Sequence, residues 1–227
     1  MVKKIALGVL LVFVLGIIGL FLFLGAPYDP DKSPYYDMEP PEDIQRTQDH
    51  PEIGQRTTFV KKSHETDHQY TLVEVELEPG EGNAVHYHNR FAEIFFPISG
   101  TLGVHREGED LKVESGDSVI VESGEHHRFF NPSDDEAVTF EVRLEPGAPG
   151  FEKALYLMYG LSRDGLVDEN GLPENIYHTA LFVVLGDTRA PGVRSLLSPL
   201  MWRIAGRAQR QGIEEEVMES YYVNMTE

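Results

Sequence analysis

Hydrophobic and polar positions fall into three regimes along the chain. The first is an unbroken apolar run, Ile5 to Ala26, with no charged residue. Its length matches the roughly 20 residues needed to cross a bilayer core. Lys3 and Lys4 precede it, and Asp29, Asp31 and Asp37 follow. The positive-inside rule then leaves the N-terminus cytoplasmic and the rest of the chain extracytoplasmic, a single-pass membrane protein. A cleaved signal peptide is the competing reading. It calls for a shorter apolar region, about 7–15 residues, ending in a small-x-small site. Leu24 stands at the −3 position here, so residues 1–26 are expected to form an uncleaved transmembrane anchor, with the lipid bilayer as partner of residues 5–26.

Residues 27–52 break that pattern. Pro27, Pro30, Pro34, Pro40 and Pro41 oppose helix and sheet, and the acidic content offers no core, so a linker is expected. Tyr28, Tyr35 and Tyr36 suit either a membrane–water interface or an exposed linker.

The second regime is short alternation. Tyr70–Leu77, Ile94–Ile98, Thr101–His105, Leu111–Val113, Ser118–Val121, His127–Asn131 and Val138–Leu144 read as strands. Pro79-Gly80, Ser99-Gly100, Glu107-Gly108, Ser115-Gly116, Ser123-Gly124 and Asn131-Pro132 separate them as turns. Many short strands at even spacing predict a mainly β sandwich or barrel over residues 53–147. The third regime has helical period. Phe151–Leu161, Pro173–Leu185 and a segment from Ser198-Pro199 to about Gln209 read as helices in an extension over residues 148–212. Residues 213–227 form an acidic tail.

Composition narrows the chemistry. The chain has 227 residues and no cysteine, which excludes disulfides, thiolate metal sites and thiol nucleophiles. Nineteen basic residues face 38 acidic ones, for a net charge of −19. A nucleic-acid partner is thereby disfavoured, because phosphate contacts need Lys and Arg. The excess of acid fits an ordinary solvated surface or an adaptation to high salt, which screens repulsion.

One cluster carries candidate chemistry. His86 and His88 are two residues apart, so on a strand they point to one side. The four residues 89–92 read as a hairpin turn that brings Glu93 back toward them. His127 comes from a later strand, whereas alternation sends His126 to the opposite face. Three imidazoles and one carboxylate suit Fe, Mn, Ni, Zn or Cu as a divalent ion with open coordination positions. Phe91, Phe95 and Phe129 are candidates to line a cavity or fill the core. Tyr87 is expected to face away from the ion, and His64, His68 and His105 to be surface or structural. His50 and His178 give no signal.

These residues also sit in a longer pattern. Gly80, His86, His88, Glu93 and Gly100, with intervals of five, one, four and six residues, resemble the first motif of the cupin family. Gly116, Glu122, Gly124, His127 and Asn131 resemble the second, with Glu122 in place of the usual proline. The resemblance covers about residues 57–145. It implies a double-stranded β-helix (jelly-roll) barrel, His86, His88, Glu93 and His127 as metal ligands, a small-molecule ligand or substrate, and a homodimer. It is compatible with a metal-dependent enzyme, dioxygenase- or isomerase-like, in which Glu93 is also a candidate base. A non-catalytic binding or sensing module is the alternative. Glu141 and Arg143 are further candidates for the pocket.

In the last predicted helix Leu200, Met201, Ile204, Ala205 and Ala208 share one side, and Arg203, Arg207 and Arg210 lie mostly on the other. Either a membrane-surface helix or a packed helix whose arginines pair with Glu214, Glu215 and Glu216 fits this pattern.

Overall fold

A computed structural model describes residues 2–225, with side chains from residue 9 onward. Nine strands follow an N-terminal helix α1 (Val2–Leu24): β1 (Thr47–His50), β2 (Gln55–Lys61), β3 (Thr71–Leu77), β4 (Ala92–Ser99), β5 (Thr101–Arg106), β6 (Glu109–Glu114), β7 (Val119–Val121), β8 (His127–Phe130) and β9 (Val138–Glu145). Four helices complete the chain: α2 (Pro149–Arg163), α3 (Ile176–Leu185), α4 (Ser198–Arg210) and α5 (Ile213–Met218).

The strands form two antiparallel sheets, one ordered β1-β2-β3-β9-β4-β7 and the other β6-β5-β8. This is the expected mainly β sandwich. In β9, buried and half-buried residues alternate strictly, the signature of a strand with one face in a core. Phe59, Leu77, Phe95, Leu102, Val104, Phe140 and Leu144 are fully buried there. The seven strands anticipated from alternation all form. The sandwich gains β1 and β2, which polar residues such as Gln48, Asp49, Gln55 and Arg56 had masked.

Two expectations need correction. Residues 27–52 are not an unpacked linker. Tyr28, Tyr35 and Ile44 are buried, and β1 pairs with β2 at the sheet edge. The acidic tail expected over residues 213–227 is packed over its described part, to residue 225, for α5 and the following π-helical turn bury Glu214, Val217, Met218, Tyr221 and Tyr222. The two segments need each other. Glu214 Oε1 accepts from the Tyr28 hydroxyl and from Ser33 Oγ, both at 2.6 Å, and Glu219 Oε1 accepts from the Tyr35 hydroxyl at 3.0 Å. Each tyrosine hydroxyl gains an acceptor, so its ring can leave water.

α1 occupies the apolar run. Val9, Leu10, Phe13, Leu22 and Phe23 on it are exposed. The membrane span expected over residues 5–26 begins among residues whose side chains are not described. Among the described residues no helix is long and apolar enough to cross a membrane.

The arginines of α4 answer to α1 rather than to neighbouring glutamates. Arg207 donates to the carbonyl of Phe23 (2.7 Å) and Arg210 to that of Ala26 (2.8 Å). Arg203 donates to Gly25 and Arg210 also to Leu24. The last carbonyls of a helix have no intrahelical partner and carry its negative dipole end, and three guanidinium groups satisfy both needs. Gly206 allows the approach, since a Cβ there would lie 2.4 Å from the carbonyl carbon of Pro27.

Candidate metal centre

The chain places its first pair of ligands outside the regular ladders. Residues 82–88 cross beside β8 through single bridges, Gly82 with Phe130 and His86 with His127. The hairpin expected over residues 89–92 does not form. After His88 the chain passes from the three-stranded sheet to the six-stranded one, where Glu93 pairs with Val121 and Leu144. Glu93 therefore reaches the histidines across the sandwich, not around a turn.

His86, His88, Glu93 and His127 converge as expected, with one ligand atom from each all within 4.8 Å of one another. His88, Glu93 and His127 are buried and His86 is half-buried. Glu93 Oε2 lies 2.7 Å from His127 Nε2, and Oε1 lies 3.9 Å from His88 Nε2.

The imidazoles are oriented by backbone. Nδ1 of His86 donates to the carbonyl of Ala84 (2.8 Å), that of His88 to Asp187 (3.2 Å) and that of His127 to Glu125 (3.0 Å). A proton held on Nδ1 leaves Nε2 with its lone pair, the form that binds a metal. Nε2 of His88 is buried without a hydrogen-bond partner, and that of His127 faces only the Glu93 carboxylate, 2.7 Å away. Buried polar atoms are rarely left so. An ion at the centre would satisfy both, and the donor set fits a divalent transition metal.

Electrostatics favour the ligand forms of His86, His88 and Glu93. Burial, then the neighbouring imidazoles, pull His86 down to about 3. Burial also lowers His88. Burial alone would raise the Glu93 carboxyl, but the His127 ring and the other imidazoles outweigh it and hold it at about 2. His127 moves up because Glu93 overcomes the opposing effect of burial.

Several supporting groups were not foreseen. Asp187, just past α3, turns at φ 48° and supplies the carbonyl that holds His88. Its buried carboxylate accepts from the Asn89 backbone N–H (2.6 Å) and from Arg189 Nε (3.0 Å). Tyr87 and Arg189 exchange two backbone hydrogen bonds of 3.0 Å. Arg90 caps α3 by donating to the carbonyls of Val184 and Leu185. The helical extension thus grips the ligand strand on both sides of His88. No local pattern announces contacts spanning about a hundred residues.

Beside the ligands lies a cavity of about 300 Å³. His86, Glu93, Phe129, Val142 and Leu144 line it from the sandwich, and Phe151, Leu155, Met158, Tyr159 and Phe182 from α2 and α3. His50, silent in the sequence, stands in its wall with Gln55 and Thr57. Of the three phenylalanines, Phe129 lines the cavity, Phe91 stacks on His88 at 4.4 Å and Phe95 fills the core. Tyr87 faces away and packs on the outward His126, ring centroids 5.3 Å apart. Asn131 anchors its turn by donating to the carbonyls of Leu77 and Glu136. Arg143 is not in the pocket; it pairs with Glu145 and stacks over Tyr70.

Comparison with known proteins agrees with the geometry. Residues 73–147 match the model of the cupin domain. The chain is 35% identical over 88 residues to the "Probable oxidoreductase virH" of Hypocrea virens, covering 37% of this chain and 40% of that protein. It is 34% identical over 79 residues to the tetracenomycin polyketide synthase protein TcmJ of Streptomyces glaucescens, covering 34% and 52%. The chain thus spans about half or less of the length of these curated relatives. Among solved structures, KdgF from Halomonas sp. is 21% identical, with a TM-score of 0.39 over 45% of this chain and 86% of that one.

Proposed function

We propose that this chain, whose residues 73–147 are a cupin domain, is a metal-dependent enzyme acting on a small, mainly apolar organic substrate, most simply by oxidoreductase chemistry. The observation that carries the reading is the convergence of four candidate ligand atoms, one of them a buried imidazole nitrogen without a partner, beside an apolar cavity. The relatives, a probable oxidoreductase and a polyketide synthase protein, support a small organic substrate.

His86, His88, Glu93 and His127 would hold the ion. When bound, such an ion supplies Lewis acidity and a binding position for substrate or dioxygen. The chain's own groups do the rest. The carbonyls of Ala84, Glu125 and Asp187 keep each imidazole proton on Nδ1. Phe91 and Phe151 cover His88, with ring centroids at 4.4 and 5.6 Å, and keep water from it. Glu93, ionised, balances the cation. Phe129, Leu144 and Leu155 hold the substrate body out of solvent.

A second reading, binding without turnover, draws on one observation: among the described residues the wall carries no carboxylate besides Glu93, and the ring nitrogens of His50 in that wall are engaged by Glu52 and the Gly171 carbonyl. Glu93 itself, released from the ion, is the candidate base in the enzyme reading.

The proposal extends to location. The uncharged run Ile5–Ala26 and the outward apolar side chains of α1 support anchoring in a bilayer, with the N-terminus cytoplasmic and the cupin domain outside. A homodimer is proposed on the family resemblance alone.

Metal analysis of the purified full chain, compared with His86→Ala and His127→Ala, tests the centre. Near-stoichiometric metal in the parent and its loss in both variants is expected; retention in both overturns the reading. Oxygen uptake across phenolic and diketone substrates then separates an oxygenase from a binder.

A further inference from the structure

Gln55 and Thr57 on β2 and Tyr159 on α2 form a polar cluster in the wall of an otherwise apolar cavity. All three lie outside the matched cupin domain. Glu93 on β4 and Thr57 on β2 are separated by β9 and β3 in the same sheet. Three strand spacings of about 4.8 Å separate them by about 14 Å across the sheet. Thr57 is in register with Val75, Phe140 and Pro97, so Glu93 also lies four residues further along, about 13 Å at roughly 3.3 Å per residue. The cavity therefore has two polar poles, the metal centre and this cluster.

Hydrogen counting shows what the second pole offers. Gln55 Nε2 donates to both hydroxyls, at 3.0 Å to Thr57 Oγ1 and 2.7 Å to the Tyr159 hydroxyl oxygen. The two hydroxyls share one hydrogen bond of 2.6 Å. Each hydroxyl carries one hydrogen, and that bond uses one of the two. Neither oxygen has any other partner among the described residues. With the Gln55 amide nitrogen turned toward both hydroxyls, one donor hydrogen is left over whichever way the shared bond runs. Thr57 is 1% and Tyr159 2% exposed, so bulk water does not readily take it. His50 does not compete for it. Its Nδ1 pairs with Glu52 at 3.1 Å and its Nε2 with the Gly171 carbonyl at 3.2 Å, while its ring packs edge-on against Tyr159 at 5.8 Å. A buried donor without an acceptor is uncommon in a finished fold, and in a cavity wall it points to a ligand.

We infer that this cluster is the second anchor of the substrate, donating one hydroxyl hydrogen to an acceptor such as a carbonyl or ether oxygen. The inference rests on the metal-dependent reading above and names the substrate class: an elongated molecule with an apolar, preferably aromatic body, a metal-binding oxygen function at one end and a hydrogen-bond acceptor at the other. Phe129, Phe151 and Phe182 supply faces and edges for flat rings. Burial raises the Tyr159 phenol to about 12, so its proton stays in place across the physiological range.

The test uses two probes of matched shape, 6-acetyl-2-naphthohydroxamate and 6-isopropyl-2-naphthohydroxamate, titrated into the zinc-loaded and zinc-free full chain. The hydroxamate seeks the metal, and only the acetyl group can accept a hydrogen bond at the far end. The zinc-loaded parent is expected to bind the acetyl probe about tenfold more tightly. Thr57→Val/Tyr159→Phe should bind the two within about twofold, with unchanged zinc content. Zinc-dependent binding of both probes without preference in the parent overturns the inference and leaves the metal reading standing; this arm needs no substitution. A preference that persists in the double variant overturns it too. Binding that ignores zinc overturns the metal reading and the inference together.

Discussion

His86 and His127 exchange two backbone hydrogen bonds, each 2.8 Å long, and their ring centroids stand 4.4 Å apart. A ligand from each motif is thus fixed by main-chain pairing before any side-chain rotamer is chosen. His88, two residues on, lies beyond this bridge; its carbonyl accepts from the Gly124 N–H at 2.7 Å, and its ring is held by the extension.

Asp187→Ala should therefore weaken the metal centre without touching a ligand. The variant loses the carboxylate that holds Asn89 and Arg189, and with it the position of the carbonyl bonded to His88. Groups that orient a ligating histidine typically matter by about 10–100-fold in metal affinity. Asn tolerates positive φ and keeps one acceptor, so Asp187→Asn should lose less. Zinc titration against a chelator reads both, and equal affinity in all three proteins counts against this role.

Two buried lysines predict an alkaline gain in stability. Lys153 is fully buried, donating to the Tyr36 carbonyl at 3.0 Å beneath the Tyr222 ring. Burial pulls its ammonium down to about 8, and burial followed by Arg46 does the same for Lys62. In the unfolded chain both titrate near the ordinary 10.5. Between these values the unfolded state holds more protons, so stability rises with pH. Lys153→Met should flatten that rise by up to about 1.4 kcal/mol per pH unit. Urea unfolding at pH 7.5 and 9.5 measures it; an identical rise in parent and variant refutes the assignment.

Removing the arginine clasp should loosen α1 alone. Arg203→Ala/Arg207→Ala/Arg210→Ala leaves the carbonyls of residues 23–26 without their cationic donors. Cleavage between residues 24 and 29 in limited proteolysis is expected to accelerate several-fold, with metal content unchanged. Unaltered cleavage would mean that α1 is held by other contacts.

Gly206→Ala probes the same junction by crowding. The added methyl would stand 2.4–2.5 Å from backbone atoms of residues 26–28, which cannot rotate away. Overpacking of this kind costs about 1–3 kcal/mol, several degrees of melting temperature in a chain of this size. A variant that melts with the parent would show that the junction is slack.

Local pattern revealed the sandwich because β3 to β9 alternate in hydrophobicity between clear glycine and proline turns. It picked out the four residues that converge, three of them closely spaced at His86, His88 and Glu93 and the fourth, His127, set in a second motif. It failed where polar residues are used in the interior. β2 looks like surface, yet Gln55 and Thr57 turn inward and hydrogen-bond to each other and to Tyr159. The proline-rich stretch looks like a linker, yet Tyr28 and Tyr35 find carboxylates in α5 and just beyond it, 186 residues away for Tyr28 and Glu214. Asp187 and Arg90 belong to the site through partners that only the folded chain brings near.

The grip of Asp187 on His88 has a thermodynamic corollary. Closing the ligand set and docking the extension are one event seen from two sides. Any ion that prefers the finished centre must then stabilise the seated helices by mass action, and helices seated more firmly must raise affinity for the ion by the same factor. The supply of metal would thereby set how tightly this chain closes over its own cavity.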